Sequence, residues 1–187
     1  MVTTNLRKDA VRSRRAILDA ARELYQDDTE ASFAEIAHEA QVGQATVYRH
    51  FADRAALLAA LAGEDMEALE ERIAADEEIG PDSLEELLRE FLAAQLRSQG
   101  LIGAIRAGEV EESQVRGLTE RVRDLFTPRL EIARAAGVVR PDLTADDVLV
   151  LLTMVEGAVA PLRDRAERER ASARAFEIAL DGLRSRE

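Results

Sequence analysis

The residues of this chain best equipped for chemistry lie close together. Gln44, Ala45, Thr46, Tyr48, His50 and Arg54 bring amide, methyl, hydroxyl, imidazole and guanidinium groups into one short stretch, with Ser32 a little upstream. They do not form the equipment of an active site. The chain has no cysteine, which excludes disulfides, thiolate metal sites and a cysteine nucleophile. Its two histidines, His38 and His50, have no cluster of further ligands around them, so no metal is expected. No glycine-rich phosphate loop, nucleophile elbow or candidate triad occurs, and the carboxylates are spread along helical faces. The sequence reads as a non-enzyme without a cofactor.

What these groups can do is hydrogen-bond to nucleic acid. The Gln44 amide can pair bidentately with adenine in a major groove, and the Ala45 methyl can touch a thymine methyl. Thr46 offers its hydroxyl to a base edge or a phosphate. Tyr48 can place its hydroxyl on a phosphate, and His50 can donate to one from a ring nitrogen or remain a satisfied surface histidine. Arg54 sits in the first turn of a helix, where a cation is badly placed for the dipole unless an anion lies nearby. Ser32 could serve a phosphate too, although a capping role already accounts for it. Arg49 fits an intramolecular pair or solvent better than a base. Arg7 and Lys8 fit either an arm that reaches DNA or a plain disordered tail.

The elements that must position these groups are helices. Alanine and other strong helix formers dominate, proline (4) and glycine (10) are scarce, and no strand pattern appears. A first helix over 9–26 carries Val11, Ile17, Leu18, Ala21, Leu24 and Tyr25 as an apolar stripe and stops at Asp27-Asp28-Thr29. A short second helix has Ser32 and Glu35 as a capping box, with Phe33, Ile36, Ala37 and Ala40 on one face. Gln41-Val42-Gly43 then makes a tight turn into a third helix, Gln44 to Phe51. Only Val47 and Phe51 of that helix point inward, beside Val42. Two short helices joined by such a turn, the second rich in polar donors, have the form of a helix-turn-helix.

Six further helices follow. Asp53 caps one over about 54–76, and either Ser83 with Glu86 or Asp82 with Glu85 caps the next, over about 84–99. Gly100 and Gly103 bracket a short helix near 101–108. Another runs about 113–136 and ends at Gly137, a natural C′ residue. Thr144 with Asp147 caps a helix over about 145–163 that is apolar all round, and the last spans about 166–184. The expectation is an all-α chain of about nine helices. Three helices over 1–54, containing the helix-turn-helix, precede a helical bundle over 55–187.

Charge qualifies this picture. The net charge is -12, from 25 Lys and Arg against 37 Asp and Glu, which argues against non-specific nucleic-acid binding. Yet residues 1–26 are basic on balance, through Arg7, Lys8, Arg12, Arg14, Arg15 and Arg22. No stretch approaches the length of apolar residues that a membrane helix needs, and the polar N-terminus lacks a signal-peptide core. A soluble, cytoplasmic protein with no membrane partner is expected.

At the third helix the resemblance becomes specific. Residues 12–61 resemble the DNA-binding head of the TetR family of one-component transcriptional regulators. The carriers are Ile17-Leu18-Asp19-Ala20-Ala21, Leu24-Tyr25, Ile36-Ala37, Thr46-Val47-Tyr48-Arg49-His50-Phe51, and Arg54 with Leu57-Leu58. After it, Ala135 to Asp142 and Asp181-Gly182-Leu183-Arg184 resemble the family more loosely. Two positions depart from the pattern. Gln41 and Gly43 stand where relatives carry Gly and Ser, so a left-handed Gln41 would cost about 1 kcal/mol. Ala34 replaces a residue that is often polar or basic.

The resemblance implies a homodimeric repressor that binds a double-stranded DNA operator, a near-palindrome, and is released by an unknown small-molecule effector. It places the dimer interface on the last two helices, here through Leu151, Val155, Phe176, Leu180 and Leu183. It places an effector pocket among the middle helices, for which Leu88, Phe91, Leu92, Gln95, Leu96, Ile105, Phe126, Met154 and Val155 are candidates. Each of these would fit an ordinary bundle core as well. Helix four links head to body and is the expected lever. Two alternatives stand beside this reading: a ligand- or partner-binding helical dimer with a degenerate head, and a DNA-binding regulator without a small-molecule effector.

Overall fold

The computed structural model describes residues 2–27, 31–75 and 79–184. These form nine α-helices and no strand. In chain order they are α1 (Val2–Asp27), α2 (Phe33–Glu39), α3 (Gln44–His50), α4 (Arg54–Ala75), α5 (Ser83–Arg97), α6 (Gln99–Arg106), α7 (Glu112–Ala135), α8 (Ala145–Val159) and α9 (Arg165–Leu183). The expected all-α architecture is what the chain adopts. Thr29, part of the first expected stop signal, lies outside the described residues, as do Asp28 and residue 76 of the fourth expected helix.

The chain divides into two compact units. The first comprises Met1–Glu67 with Arg97–Val110, and the second comprises Ala68–Leu96 with Glu111–Glu187. In the first unit, α2 and α3 pack on each other and on α1. Ile17, Leu18, Ala21 and Tyr25 of α1 meet Phe33, Ile36 and Ala37 of α2 and Val47 and Phe51 around α3, all of them buried. Helices of seven residues cannot persist alone, so this shared core is what keeps α2 and α3 folded. Truncating the fully buried Ile36 to Ala would cost roughly 2–5 kcal/mol. The α1 stripe is shorter than its sequence suggests. Val11 is 70% exposed, because the first unit's core begins at Ile17. The helix itself starts earlier than expected, at Val2, so the segment read as an arm forms its first turns.

Short-range signals hold at atomic detail. Ser32 and Glu35 form the capping box of α2, and Thr144 and Asp147 form that of α8. The Asp53 carboxylate accepts from the Ala56 N–H at 2.8 Å and caps α4. Gly137 ends α7 with φ 71°. Two expectations fail. Ser83 is the first residue of α5 rather than its cap, and its hydroxyl donates to the Gly80 carbonyl at 2.6 Å, which leaves the N-cap position to the alternative, Asp82, whose carbonyl accepts from the Glu85 and Glu86 N–H groups. Gly100 lies inside α6 rather than at its border. A Cβ there would stand 3.0 Å from the Leu58 Cδ2 atom of α4, so close packing, not chain termination, is what favours glycine.

The second unit is built on α8 against α7 and α9. Its core includes Leu88 and Leu92 of α5, Phe126 and Leu130 of α7, Val148, Leu152 and Val155 of α8, and Phe176 and Leu180 of α9. No helix is long and apolar enough to cross a membrane among the described residues.

Candidate nucleic-acid interface

The turn between α2 and α3 sets the presentation of α3. Gln41 takes φ 54°, the left-handed conformation that its sequence position demanded. The strain, about 1 kcal/mol for a side chain with a Cβ, is held by backbone bonds from the Gln41 N–H to the His38 carbonyl and from the Val42 N–H to the Ala37 carbonyl. Gly43 is extended and stands at the N-cap of α3 without a side-chain bond. Val47 is completely buried and Phe51 nearly so, and these two anchors fix the rotation of α3 about its axis.

With that rotation fixed, Gln44 and Ala45 at the start of α3 are exposed, and Thr46 is half-buried. Tyr48 is 55% exposed while its ring leans on Phe33, with centroids 5.0 Å apart at 59°. Phe33 thus braces the ring from behind and leaves the hydroxyl at the surface. Arg49 is exposed, and its guanidinium donates to the Thr46 hydroxyl at 3.4 Å. Arg54 is half-buried and lies over the Tyr25 ring at 5.7 Å. Gln44, Ala45, Thr46, Tyr48 and His50 thus share one short helix, and Arg54 opens the next helix of the same unit.

Ser32 is differently placed. Its hydroxyl donates to the Glu35 carboxylate at 2.6 Å and accepts from the Glu35 N–H at 3.3 Å. Its own N–H also donates to that carboxylate, at 2.8 Å. These bonds hold the Glu35 carboxyl below its ordinary range. A phosphate at Ser32 would have to displace a complete capping box.

His50 has its imidazole half-buried, with Nε2 enclosed and without a hydrogen-bond partner among the described residues. Its pKa is pushed down, first by desolvation and then by the charges of Arg49 and Arg14. Arg14 had not been singled out in the sequence. Its guanidinium lies 5.1 Å from the Phe51 ring centroid. The available signal was its basic neighbourhood, but helical spacing alone could not show that α1 reaches the end of α3. The side chain of Arg7 lies outside the described residues, and Lys8 is exposed on α1.

The expected effector residues separate. Leu88, Leu92, Phe126 and Val155 are buried in the core of the second unit. Phe91 meets Phe126 edge-on with centroids 5.7 Å apart, and the Gln95 amide donates to the Leu152 carbonyl at 3.5 Å. Leu96 is half-buried. Ile105 belongs to the first unit, on α6. Met154 is 67% exposed and points away from the core. A small open surface pocket does exist in the second unit, between Leu84, Val139 and Leu183, and of the expected effector set only Leu88 lines it.

Two buried charges were missed in this unit, Arg129 on α7 and Glu156 on α8. The signal was present. Each falls on the spacing of its helix's apolar stripe, Arg129 three residues after Phe126 and Glu156 four after Leu152.

The expected dimer residues also need correction. Leu151, Val155, Phe176, Leu180 and Leu183 are all buried within the chain's own second unit. The apolar residues that α8 and α9 leave at the surface are Val150, Met154 and Ile178. On a helix apolar all round, a shift of one residue separates the core face from the outer face.

Comparison with known proteins bears on the family and the fold. Residues 17–61 match the family described as bacterial regulatory proteins of the tetR family. Residues 80–185, more than half of the chain, match the SbtR-like transcriptional regulator C-terminal domain. A TetR transcriptional regulator from Streptomyces coelicolor is 25% identical with a TM-score of 0.62, over 93% of this chain and 99% of its own. A TetR regulatory protein from Mycobacterium vanbaalenii is 26% identical with a TM-score of 0.61, over 96% and 99%. A TetR-family regulator from Agrobacterium tumefaciens, 20% identical, shares the fold with a TM-score of 0.66 over 94% and 100%. No curated protein matches the sequence.

Proposed function

The chain belongs to the TetR family of bacterial transcriptional regulators, and from that premise we propose a homodimeric repressor that reads a near-palindromic operator through α3 and leaves it when a small molecule binds. The family is typically non-enzymatic and acts on DNA, which fits a cytoplasmic protein. The observation that carries the reading is the surface of α3. Val47 and Phe51 consume its apolar side, and Gln44, Ala45 and Tyr48 stand exposed on the remainder.

Gln44 and Ala45 would face base edges, while Thr46, Tyr48, His50 and Arg54 would meet the backbone. Phosphate contacts set the register, and base contacts supply sequence information. Ser32 is a weaker candidate, because its hydroxyl already serves Glu35. One short helix spans only a few base pairs, so useful specificity needs two heads on two half-sites. Val150 and Met154, one turn apart on α8, and Ile178 on α9 would provide the apolar surface for dimerisation.

The DNA-binding function is assigned to residues 1–54, and effector binding and dimerisation to 55–187. The buried Arg129 and Glu156 would supply polar anchors for an effector among apolar neighbours. Helix α4 runs out of the first division into the second and would carry the effector's influence as a population shift. One observation favours a regulator without a small-molecule effector. Leu88, Leu92, Phe126 and Val155 are buried in the core of the second unit.

The test is selection from a randomised duplex pool at physiological salt, with the purified dimer. A near-palindrome should be enriched, with half-sites about one helical turn apart or a multiple of it. A folded dimer that enriches no sequence would refute operator reading.

A further inference from the structure

The arginines of α1 are not alike. Arg12 pairs with Asp9, Arg15 with Asp19, and Arg22 with Glu64 and Asp65. Arg14 instead lies against the Phe51 ring and makes no ion pair among the described residues. Arg49 makes none there either; its guanidinium donates only to the Thr46 hydroxyl. His50 adjoins both: it follows Arg49 in the chain, and its ring centroid lies 6.4 Å from that of Phe51, the ring Arg14 covers; its enclosed Nε2 has no hydrogen-bond partner among the described residues.

The charged groups around His50 can be named element by element. Helix α3 carries Arg49 and no acid. Helix α1 contributes Arg14, with its nearby acids Asp9 and Asp19 already engaged by Arg12 and Arg15. Helix α2 carries Glu35, His38 and Glu39, with Glu35 committed to its capping box. Past α3, Asp53 caps α4 and Arg54 stacks on Tyr25. The charges that act on His50 are those of Arg49 and Arg14, both positive.

We propose that Arg14, Arg49 and His50 form one cradle for a DNA backbone phosphate, with Arg14 contributed by α1 from outside the helix-turn-helix, and that His50 takes up a proton when the phosphate enters. This rests on α3 facing DNA. Desolvation and two arginines keep the imidazole neutral in the free protein near neutral pH. A phosphate beside the imidazole reverses the sign of the local potential and so favours the protonated ring. The C-terminal end of α3 also favours cations. The proton is drawn from solvent, so affinity for DNA rises as pH falls through the window between the free and bound values of His50. One linked proton gives up to about tenfold per pH unit for each head.

The test is NMR titration of the ring resonances of His50 and His38, free and with a mixed-sequence duplex at low salt. Wild type, Arg14→Ala and Gln44→Ala are compared, and duplex affinity is followed over the same pH range. The exposed Arg14 can be replaced without opening the core. In wild type the duplex should raise the His50 pKa, leave that of His38 in place, and bind more tightly at lower pH. Arg14→Ala should raise the His50 pKa of the free protein and weaken duplex binding. Gln44→Ala should leave the His50 response intact, since a phosphate carries no sequence information. A His50 pKa unmoved by duplex, while the Gln44 side-chain amide does respond, would overturn the cradle and spare the reading of α3. No response at either residue would overturn both. An Arg14→Ala variant with unchanged affinity and unchanged His50 would remove Arg14 from the site.

Discussion

Helices α3 and α8 both expose a face that their own unit does not cover, and the two faces are opposite in kind. On α3 the exposed groups are polar apart from the Ala45 methyl, and the larger apolar residues Val47 and Phe51 are spent on the core. On α8 the core takes Val148, Leu151, Leu152 and Val155, and Val150 and Met154 are left over. A polar face with hydroxyl, amide and imidazole donors suits a hydrated, charged partner such as DNA. An apolar pair flanked on α9 by Ile178 suits another protein surface. The difference is what the proposed function rests on at the two ends of the sequence.

Four substitutions break or sharpen that contrast. The largest effect is expected from Met154→Glu, which places a carboxylate in the apolar surface of α8. Sedimentation should show a monomer, and operator affinity should fall with the lost second head. An intact dimer would move the interface elsewhere. Next is Gln44→Ala, which should remove about 1–3 kcal/mol of base discrimination per head while the dimer and the melting temperature stay unchanged. Equal affinities for the selected site and a scrambled one, in the wild type as in the variant, would show that α3 does not read bases.

Smaller effects lie in the support of α3. Ser32→Ala removes the α2 cap and should cost about 0.5–2 kcal/mol by denaturant unfolding. Its effect on operator affinity should be slight if the hydroxyl serves Glu35 rather than a phosphate. Gln41→Gly should relieve left-handed strain and stabilise the head by up to about 1 kcal/mol, less the entropy glycine adds to the unfolded chain.

The pH dependence of folding has a definite sign. The folded pKa of His50 lies below its ordinary value of 6.5, so the unfolded chain binds more protons there. Stability contributed by neutral His50 is complete above about pH 6.5 and is lost as pH falls through that value. His50→Gln should flatten this part of the stability profile, as thermal melts across the range would reveal.

How much the sequence disclosed follows the range of the interactions. The capping boxes at Ser32 and Thr144, the Asp53 cap, Gly137 and the strained Gln41 are decided within a few residues, and each was legible. So was the polar face of α3, because a helix with only two apolar anchors has one possible orientation. The outward face of α8 was not legible, since a helix apolar on every side gives no phase. Leu151 and Val155 were expected at the dimer interface and are buried in the chain's own core, while their neighbours Val150 and Met154 are exposed. Val11 failed for a related reason, because periodicity continues along α1 beyond the point where anything packs on it. Arg14 depended on a contact between α1 and Phe51, which no local pattern encodes.

The central claim is that α3, through Gln44, reads the operator. Parallel selection of a randomised duplex pool by the wild type and by Gln44→Ala tests it most directly. The account predicts a near-palindrome for the wild type and loss of preference at the Gln44-contacted base pair of both half-sites for the variant, with the other positions retained. Identical enriched sequences from the two proteins would contradict it.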